Sequence, residues 1–172
     1  MEYTINHFYD TYSEMFYFTS DLDKALIARK MEIIDNVIPA SNSSIAKSLF
    51  VLGKYFDNNK YHRMAEQMLH HVMQEIPAYG SGYSNWAMLL INMLSSFYEI
   101  AIVGKNVDEK RKEFNNYYFP NKIFVGSNTE KSLIPLLENK FTEGKTMIYV
   151  CENKTCKLPV TKAEEVMKQI SE

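Results

Sequence analysis

The apolar pattern of the chain changes at the stretch Tyr98-Glu-Ile-Ala-Ile-Val-Gly104. This run is rich in β-branched residues and stops at a glycine, which is typical of a short buried strand. Upstream of it, apolar residues recur at spacings of three and four, as they do on one face of a helix. Downstream of it, strand-like runs alternate with helix-like segments. We therefore predict two domains, a helical part at 1–97 and a small α/β unit at 98–172.

The helical part contains four predicted helices. The first has an apolar stripe that consists of Ile5, Phe8, Tyr12 and Met15. The other three cover 42–56, 60–75 and 83–97. The pair Ser41-Asn42 suits a helix N-terminus and recurs as Ser84-Asn85 before the fourth helix, which fits antiparallel helix pairs that stack on one another. No capping residue precedes the first helix, so we expect the chain to be the tail of a longer protein.

The α/β unit contains three predicted strands, at 98–103, 122–125 and 146–150. Helical segments are predicted between and after them, at 107–117, 129–139 and 162–170. Because helices that connect neighbouring parallel strands form right-handed crossovers, the pattern predicts a three-stranded parallel βαβαβα unit. Gly104, Gly126 and Cys151 would then share the carboxyl edge of the sheet, where open α/β sheets bind ligands. The fold class is α+β overall.

The composition excludes several classes of function. The chain has 172 residues, a hydrophobic content of 46% and a formal net charge of −2, which together indicate a globular protein. It has no basic cluster of the kind that binds nucleic acid and no apolar run long enough to span a membrane. Its two cysteines are too few for a secreted disulfide scaffold, so we expect a reducing, cytoplasmic setting. We expect no cofactor.

Both cysteines lie in one motif, Cys151-Glu-Asn-Lys-Thr-Cys156, which follows a strand-like run and is closed by Pro159. The spacing allows a redox pair, a metal site or a structural turn. A zinc site needs about four ligands, and no second cysteine pair or histidine motif accompanies this one, so no metal is expected. We predict that Cys151 and Cys156 lie on the loop between the third strand and the last helix, as free thiols that oxidise reversibly.

A second cluster of polar residues precedes the predicted helix at 42–56. Glu32 and Asp35 are three residues apart and could share one face with Arg29. Paired carboxylates beside an arginine can act in acid–base catalysis or bind sugar hydroxyls. The alternative is structural: Arg29 forms an ion pair with Glu32 or Asp35, and Asn42 caps or braces the turn into the helix.

In order along the chain, these motifs resemble the C-terminal part of a long thioredoxin-domain-containing family, which includes uncharacterised bacterial proteins and the animal spermatogenesis-associated thioredoxin-like protein. The family pattern runs Arg-x-Lys-Glu-x-x-Asp, Pro-Ser-Gly-Asn-Ser, a strand that ends in Val-Gly, and Tyr-Val-Cys-x4-Cys-x-x-Pro. This chain matches it at Arg29, Glu32, Asp35, Pro39, Asn42, Ser43, Val103, Gly104, Tyr149, Val150, Cys151, Cys156 and Pro159. It departs at Met31, which replaces the lysine, and at Ala40-Ser41, which replaces Ser-Gly.

The resemblance implies that the helical part belongs to an (α/α)6 toroid similar to six-hairpin sugar enzymes such as N-acylglucosamine 2-epimerases. It implies a carbohydrate-binding or isomerising cavity, with Arg29 and Asn42 as substrate-binding residues and Glu32 and Asp35 as catalytic candidates. The implied partners are the upstream toroid and thioredoxin-like domains and a sugar ligand. Because an arc of toroid helices lacks the neighbours that cover its apolar faces, we also expect self-association.

Two classes of function therefore follow from the sequence. The first is a fragment of a sugar enzyme, in which Glu32 and Asp35 line part of a cavity. The second is a redox-linked interaction module without catalysis of its own, in which Cys151 and Cys156 exchange electrons with the thioredoxin-like domain. Whether the chain is an enzyme is left open.

Overall fold

The computed structural model describes residues 1–24 and 27–171, and it shows a mixed α+β protein. The chain divides into two compact units. The first comprises Met1–Gly53 and Asn58–Leu94, and the second comprises Lys54–Asp57 and Ser95–Glu172. The domain boundary that the sequence predicts at residues 97 and 98 stays a prediction. Within the described ranges, no helix has both the length and the apolar character needed to cross a membrane.

The first unit begins with a short helix and a hairpin. Helix α1 covers Glu2–Phe8, and strands β1 (Tyr9–Asp10) and β2 (Met15–Phe16) pair antiparallel. The single helix predicted from Ile5 through Met15 is therefore wrong beyond Phe8. The physical reason lies in the turn: the Asp10 carboxylate accepts hydrogen bonds from the backbone N–H and hydroxyl of Ser13. Such local side-chain bonds give the backbone an alternative to the helix.

Four more helices follow in the described part of the chain: α2 (Ser41–Phe56), α3 (Asn59–Val72), α4 (Glu75–Ala78) and α5 (Ser84–Leu94), with a 3₁₀ turn at Gly80–Tyr83 before α5. The end of α2, from Lys54, belongs to the second unit. The helices predicted at 42–56, 60–75 and 83–97 are all present. The side chain of Asn58 caps α3 by accepting hydrogen bonds from the N–H groups of Lys60 and Tyr61. The buried apolar side chains of these helices include Ala46, Leu49, Phe50, Met64, Ala65, Met68, Leu69, Trp86 and Leu89.

The second unit contains a mixed sheet of four strands in the order β4-β3-β5-β6. The strands are β3 (Tyr98–Val103), β4 (Lys122–Ser127), β5 (Met147–Glu152) and β6 (Thr155–Cys156), and the helices are α6 (Val107–Glu113) and α7 (Ala163–Ser171). Short 3₁₀ turns cover Phe114–Asn116 and Pro135–Leu137. One sheet face, with Ile100 and Ile102, packs against Phe114, Phe119, Ala163 and Val166. The other face, with Ala101, Val103 and Val125, packs against Leu137.

The predicted all-parallel sheet is wrong in one strand. β3 and β4 are parallel, as predicted, but β5 pairs with β3 antiparallel. A parallel pair needs a long crossover, and α6 supplies it between β3 and β4. Between β4 and β5 the predicted helix at 129–139 is replaced by the 3₁₀ turn at Pro135–Leu137. Pro135 in the middle of that segment disfavours a helix because proline lacks the N–H and clashes with the preceding turn.

The reversed strand also moves the cysteine motif. Cys151 pairs with Glu99 near the start of β3, whereas Val103 at the end of β3 pairs with Met147. Gly104 and Gly126 lie at the same end of the sheet, as predicted, because β3 and β4 are parallel. Cys151 lies at the opposite end, so the prediction is wrong for Cys151.

Candidate functional site

Asp35 lies at the centre of the polar cluster in the first unit. It is 5% exposed, and its carboxylate accepts hydrogen bonds from the starts of two helices. Oδ1 accepts from the Ala40 N–H (3.0 Å) and the Ser43 hydroxyl (2.7 Å), and Oδ2 accepts from the Asn85 N–H (2.8 Å). Anions are stabilised at helix N-termini by free N–H groups and by the helix dipole. One carboxylate thus holds the N-termini of α2 and α5.

The pKa of Asp35 reflects these contacts. Burial disfavours the charged form and raises the pKa, but the hydrogen bonds from Ala40, Ser43 and Asn85 outweigh burial. The pKa therefore lies below the ordinary value of 3.8. Asp35 is held as a carboxylate, which suits a cap and makes it a poor proton donor near neutral pH.

Glu32 and Asp35 do not share a helical face, because residues 29–40 form no helix. The Glu32 side chain is exposed, whereas that of Asp35 is buried. The structure therefore separates the two carboxylates that were expected to act together. Their catalytic role stays a prediction.

Arg29 binds backbone carbonyls. Its guanidinium donates hydrogen bonds to the carbonyls of His7 and Thr19 and stacks 4.1 Å from the centre of the Tyr17 ring. The predicted ion pair with Glu32 or Asp35 is wrong: no such pair forms in the part of the chain that the structure describes. The reason is that the last turn of α1 and the loop after the β1–β2 hairpin each present a carbonyl group to Arg29, and its planar donors suit such acceptors.

Asn42 is fully buried and braces the chain around it. Its Oδ1 accepts from the Phe16 N–H (2.7 Å), and its Nδ2 donates to the Phe16 carbonyl (2.8 Å) and the Glu32 carbonyl (2.9 Å). The predicted bracing role is confirmed, although the cap on α2 comes from Asp35. The amide of Asn42 is satisfied by backbone groups, and the substrate-binding role of Arg29 and Asn42 stays a prediction.

The two cysteines lie opposite each other in a hairpin at the edge of the sheet. Cys151 in β5 pairs with Cys156 in β6, and a disulfide joins them with a Cα–Cα distance of 3.9 Å. The turn residues Asn153 and Lys154 have φ angles of 47° and 69°, the conformation of a two-residue hairpin turn. Cys151 is fully buried and Cys156 is exposed. One side of this disulfide is therefore open to a reactant and the other is not.

Two expectations about the cysteines are wrong. They were expected as free thiols on a loop, but they are bonded, and they lie on paired strands. The Asn153-Lys154 turn explains the difference, because it folds the chain back at once and places position 156 beside position 151. Their reversible oxidation stays a prediction.

A buried ion pair lies next to the disulfide. Glu99 in β3 is the direct cross-strand neighbour of Cys151, and such neighbours project from the same sheet face. Lys54, from the last turn of α2, places its Nζ 3.2 Å from Glu99 Oε1 and 3.2 Å from Asn153 Oδ1 in the hairpin turn. Both side chains are largely buried, with 13% of Lys54 and 7% of Glu99 exposed. A buried charge is costly unless it is paired, and here the two charges compensate each other.

Sequence reasoning missed this ion pair. A signal was present for one member, because Glu99 is a charged residue inside an apolar strand and such a charge needs a partner. Nothing in the sequence indicated that the partner is Lys54, which lies 45 residues upstream (99 − 54 = 45).

The residue that directly follows α2 makes a second contact with the turn between β5 and β6. Lys154 Nζ lies 2.7 Å from Asp57 Oδ1 in an exposed salt bridge. Exposed salt bridges contribute little to stability, so the Lys154–Asp57 pair is a useful control for the buried Lys54–Glu99 pair.

The histidine-rich face of α3 forms no metal centre. Glu66 and His70 are exposed, and His62 stacks edge-on against Phe50. Among residues 1–24 and 27–171, no group of three His, Cys, Asp or Glu side chains could hold a metal ion.

The first unit carries an apolar groove of about 490 Å³. It is lined by Glu14, Glu66, Gln67, Leu69, His70, Met73, Leu90, Met93 and Leu94. Elsewhere on α5, Met88 and Ile91 are also exposed. Self-association through such surfaces stays a prediction.

The chain was compared with known proteins in three ways, and no family model, curated protein or solved structure matches it.

Proposed function

We propose that the second unit is a thiol–disulfide exchange module whose reactive group is the Cys151–Cys156 disulfide. One observation carries the proposal: the bond joins a fully buried cysteine to an exposed one across an edge hairpin. Exchange requires a thiolate to reach one sulfur, and the difference in exposure selects Cys156 as the attacked residue.

The reaction balances without a cofactor. A thiolate of an external dithiol attacks Sγ of Cys156, the Cys151–Cys156 bond breaks, and Cys151 leaves as a thiolate. The second thiol of the reductant then attacks the mixed disulfide and releases Cys156. The reductant is oxidised to its disulfide, two electrons pass to the protein, and both cysteine thiolates take up protons according to the pH. A thioredoxin-type dithiol, which the sequence resemblance implies as a partner, has this chemistry.

Stapling alone is a weak reason for this disulfide. The cysteines are five positions apart, and a crosslink that closes so small a ring stabilises by only about 2 kcal/mol in the chain-entropy model. In the reducing cytoplasm that the sequence predicts, a bond of this kind is subject to exchange with the thiol pool.

The test is a redox titration of the intact chain. The protein is equilibrated in glutathione buffers, its thiols are trapped with an alkylating reagent, and the oxidised fraction is measured by mass spectrometry. We expect a midpoint between about −180 and −270 mV, the range of exchanging dithiols. A midpoint below about −300 mV would mark a structural disulfide and refute the proposal.

Single-cysteine variants test which sulfur is attacked. Cys151→Ser leaves the exposed Cys156, which should form a mixed disulfide with glutathione. Cys156→Ser leaves the buried Cys151, which should react far more slowly because the reagent cannot reach it. Equal rates in the two variants would contradict the assigned direction of exchange.

A carbohydrate role remains a separate proposal, supported by the exposed carboxylate of Glu32 and by the resemblance of the motif from Arg29 to Ser43 to that of the toroid family. It would place this chain in the C-terminal part of a sugar-binding toroid. Saturation-transfer NMR with N-acetylglucosamine tests it, since Glu32→Gln should abolish the signal without unfolding the chain. Glu66→Gln, at another exposed position, serves as the matched control.

A further inference from the structure

The buried Lys54–Glu99 pair lies beside the cysteine that must leave during exchange. We propose that the Lys54 ammonium stabilises Cys151 as the leaving thiolate and that Glu99 holds Lys54 in place for this step. The inference rests on the proposed exchange function and assigns positioning residues to it.

The geometry places a cation next to Cys151. Glu99 is the cross-strand neighbour of Cys151, and Asn153 follows Cys151 by two residues in the turn. Lys54 Nζ bonds to both of these residues, at 3.2 Å in each case. The Lys54 ammonium therefore contacts both the strand that pairs with Cys151 and the turn that follows Cys151.

The chemistry of exchange requires such a group. Cys151 is fully buried, and burial disfavours a thiolate because the charge loses its hydration. The neighbouring carboxylate of Glu99 disfavours it further. A thiol with a raised pKa is a poor leaving group. A buried cation opposes both effects, and Lys54 is placed to supply it.

Other titratable groups face the same side of the sheet. Burial lowers the pKa of Lys140, whose Nζ lies 5.7 Å from the centre of the Tyr149 ring, and Glu99 and Glu138 oppose that shift. Burial raises the pKa of Tyr55, whose hydroxyl donates to the Phe124 carbonyl. Lys140 and Tyr55 are the same in every variant, so they do not account for differences between the Cys151 titrations.

The first experiment isolates the Cys151 thiol. In Cys156→Ser, the ¹³C chemical shift of the Cys151 β-carbon is followed by NMR across pH. We expect ionisation below the ordinary thiol value of about 8.5. Adding Lys54→Met should move the titration upward by about one to two pKa units, the usual effect of a nearby opposite charge. A titration that does not move when Lys54 is replaced overturns the proposal.

Two further variants guard against misfolding and indirect effects. Lys54→Met leaves the Glu99 carboxylate buried without that partner, so Lys54→Met/Glu99→Leu replaces the whole pair by apolar side chains, a change that folds tolerate better. Because it also removes the Glu99 carboxylate, which disfavours the thiolate, its Cys151 pKa should lie below that of the Lys54→Met variant. Asp57→Asn is the matched control, because it removes the exposed contact with Lys154 and asparagine suits the φ of 51° at that position. It should leave the Cys151 titration unchanged.

The second experiment measures reduction of the intact disulfide by dithiothreitol. A leaving thiol of higher pKa leaves more slowly; with the Brønsted slope of about 0.5 that attacking thiols show, a rise of one to two pKa units slows reduction by about three- to tenfold. Lys54→Met should show this loss, Lys54→Met/Glu99→Leu a smaller one, and Asp57→Asn none. An unchanged rate in Lys54→Met overturns the inference.

The two proposals can fail separately. A midpoint below about −300 mV removes the exchange function, while the titration of Cys156→Ser still decides whether Lys54 acts on Cys151. Conversely, a midpoint in the exchanging range with no effect of Lys54 leaves the function in place and removes its positioning residues.

Discussion

Replacement of Asp35 should reveal whether one carboxylate joins two helices. Asp35→Ala removes three hydrogen bonds to a buried charged acceptor, from Ala40, Ser43 and Asn85. Hydrogen bonds to charged groups contribute about 1.5–3 kcal/mol each, and the losses are not additive within one cluster. We expect the free energy of unfolding to fall by about 3–5 kcal/mol, measured by urea denaturation.

Asp35→Asn divides the effect between the two helices. The amide oxygen can replace Oδ1 and accept from Ala40 and Ser43, but the amide nitrogen then meets the Asn85 N–H, a donor facing a donor. We expect a loss of about 2 kcal/mol, confined to the α5 contact. Hydrogen exchange should show that the Asn85 amide loses protection while that of Ala40 keeps it.

A control substitution tests whether these losses of stability are specific to Asp35. Asp108→Asn makes the same change at an exposed position in the first turn of α6 and should cost only a few tenths of a kcal/mol. If Asp35→Ala costs less than about 1 kcal/mol, or if Asp35→Asn costs as much as Asp35→Ala, the carboxylate does not hold both helix starts.

The pKa of Asp35 gives the same contact a pH dependence. Because its folded-state pKa lies below the ordinary value of 3.8, the unfolded state binds the proton more readily. The stabilisation is complete above the unfolded-state pKa and is lost as the pH falls through the folded-state pKa. Wild type should therefore lose more stability below about pH 4 than Asp35→Asn does, and identical acid unfolding curves would contradict this.

Four other predictions concern single contacts and the exposed surface. Gly104→Ala should cost about 2–4 kcal/mol, because Gly104 has a φ of 133° and an added methyl would collide with the backbone at Lys145; thermal unfolding measures it. Asn42→Ala should cost about 3 kcal/mol rather than the 1 kcal/mol of a lost cap, since it leaves buried backbone groups unpaired; a loss near 1 kcal/mol would show that water replaces the amide. Cys151→Ala/Cys156→Ala should lower the unfolding free energy by about 2 kcal/mol, as should reduction of the wild type, and a loss above about 4 kcal/mol would indicate a structural staple. The exposed apolar side chains of α5 should cause self-association, and a monomer at all concentrations in light scattering would contradict it.

Local patterns in the sequence predicted the elements they encode. The helices predicted at 42–56, 60–75 and 83–97 and the strands at 98–103, 122–125 and 146–150 were visible because their apolar spacing matches the period of a helix or a strand. The repeated Ser-Asn pair marked the starts of α2 and α5. It did not indicate that Asp35 joins those starts, because Asn85 at the start of α5 lies 50 residues from Asp35.

The sequence by itself determined most of the helical and extended segments, although not those beyond Phe8 and at 129–139, and it marked Asn42, Asp35 and the two cysteines as residues with special roles. Tertiary structure alone decided the direction of β5, the partners of Arg29 and Asp35, and the contact of Lys54 with Glu99. The physical reason is the distance along the sequence over which each kind of interaction acts. Periodicity and capping act within a few residues, so one chain segment shows them. Strand direction and buried charge pairs are fixed by contacts between distant segments, whose free energy depends on which groups meet when the chain folds.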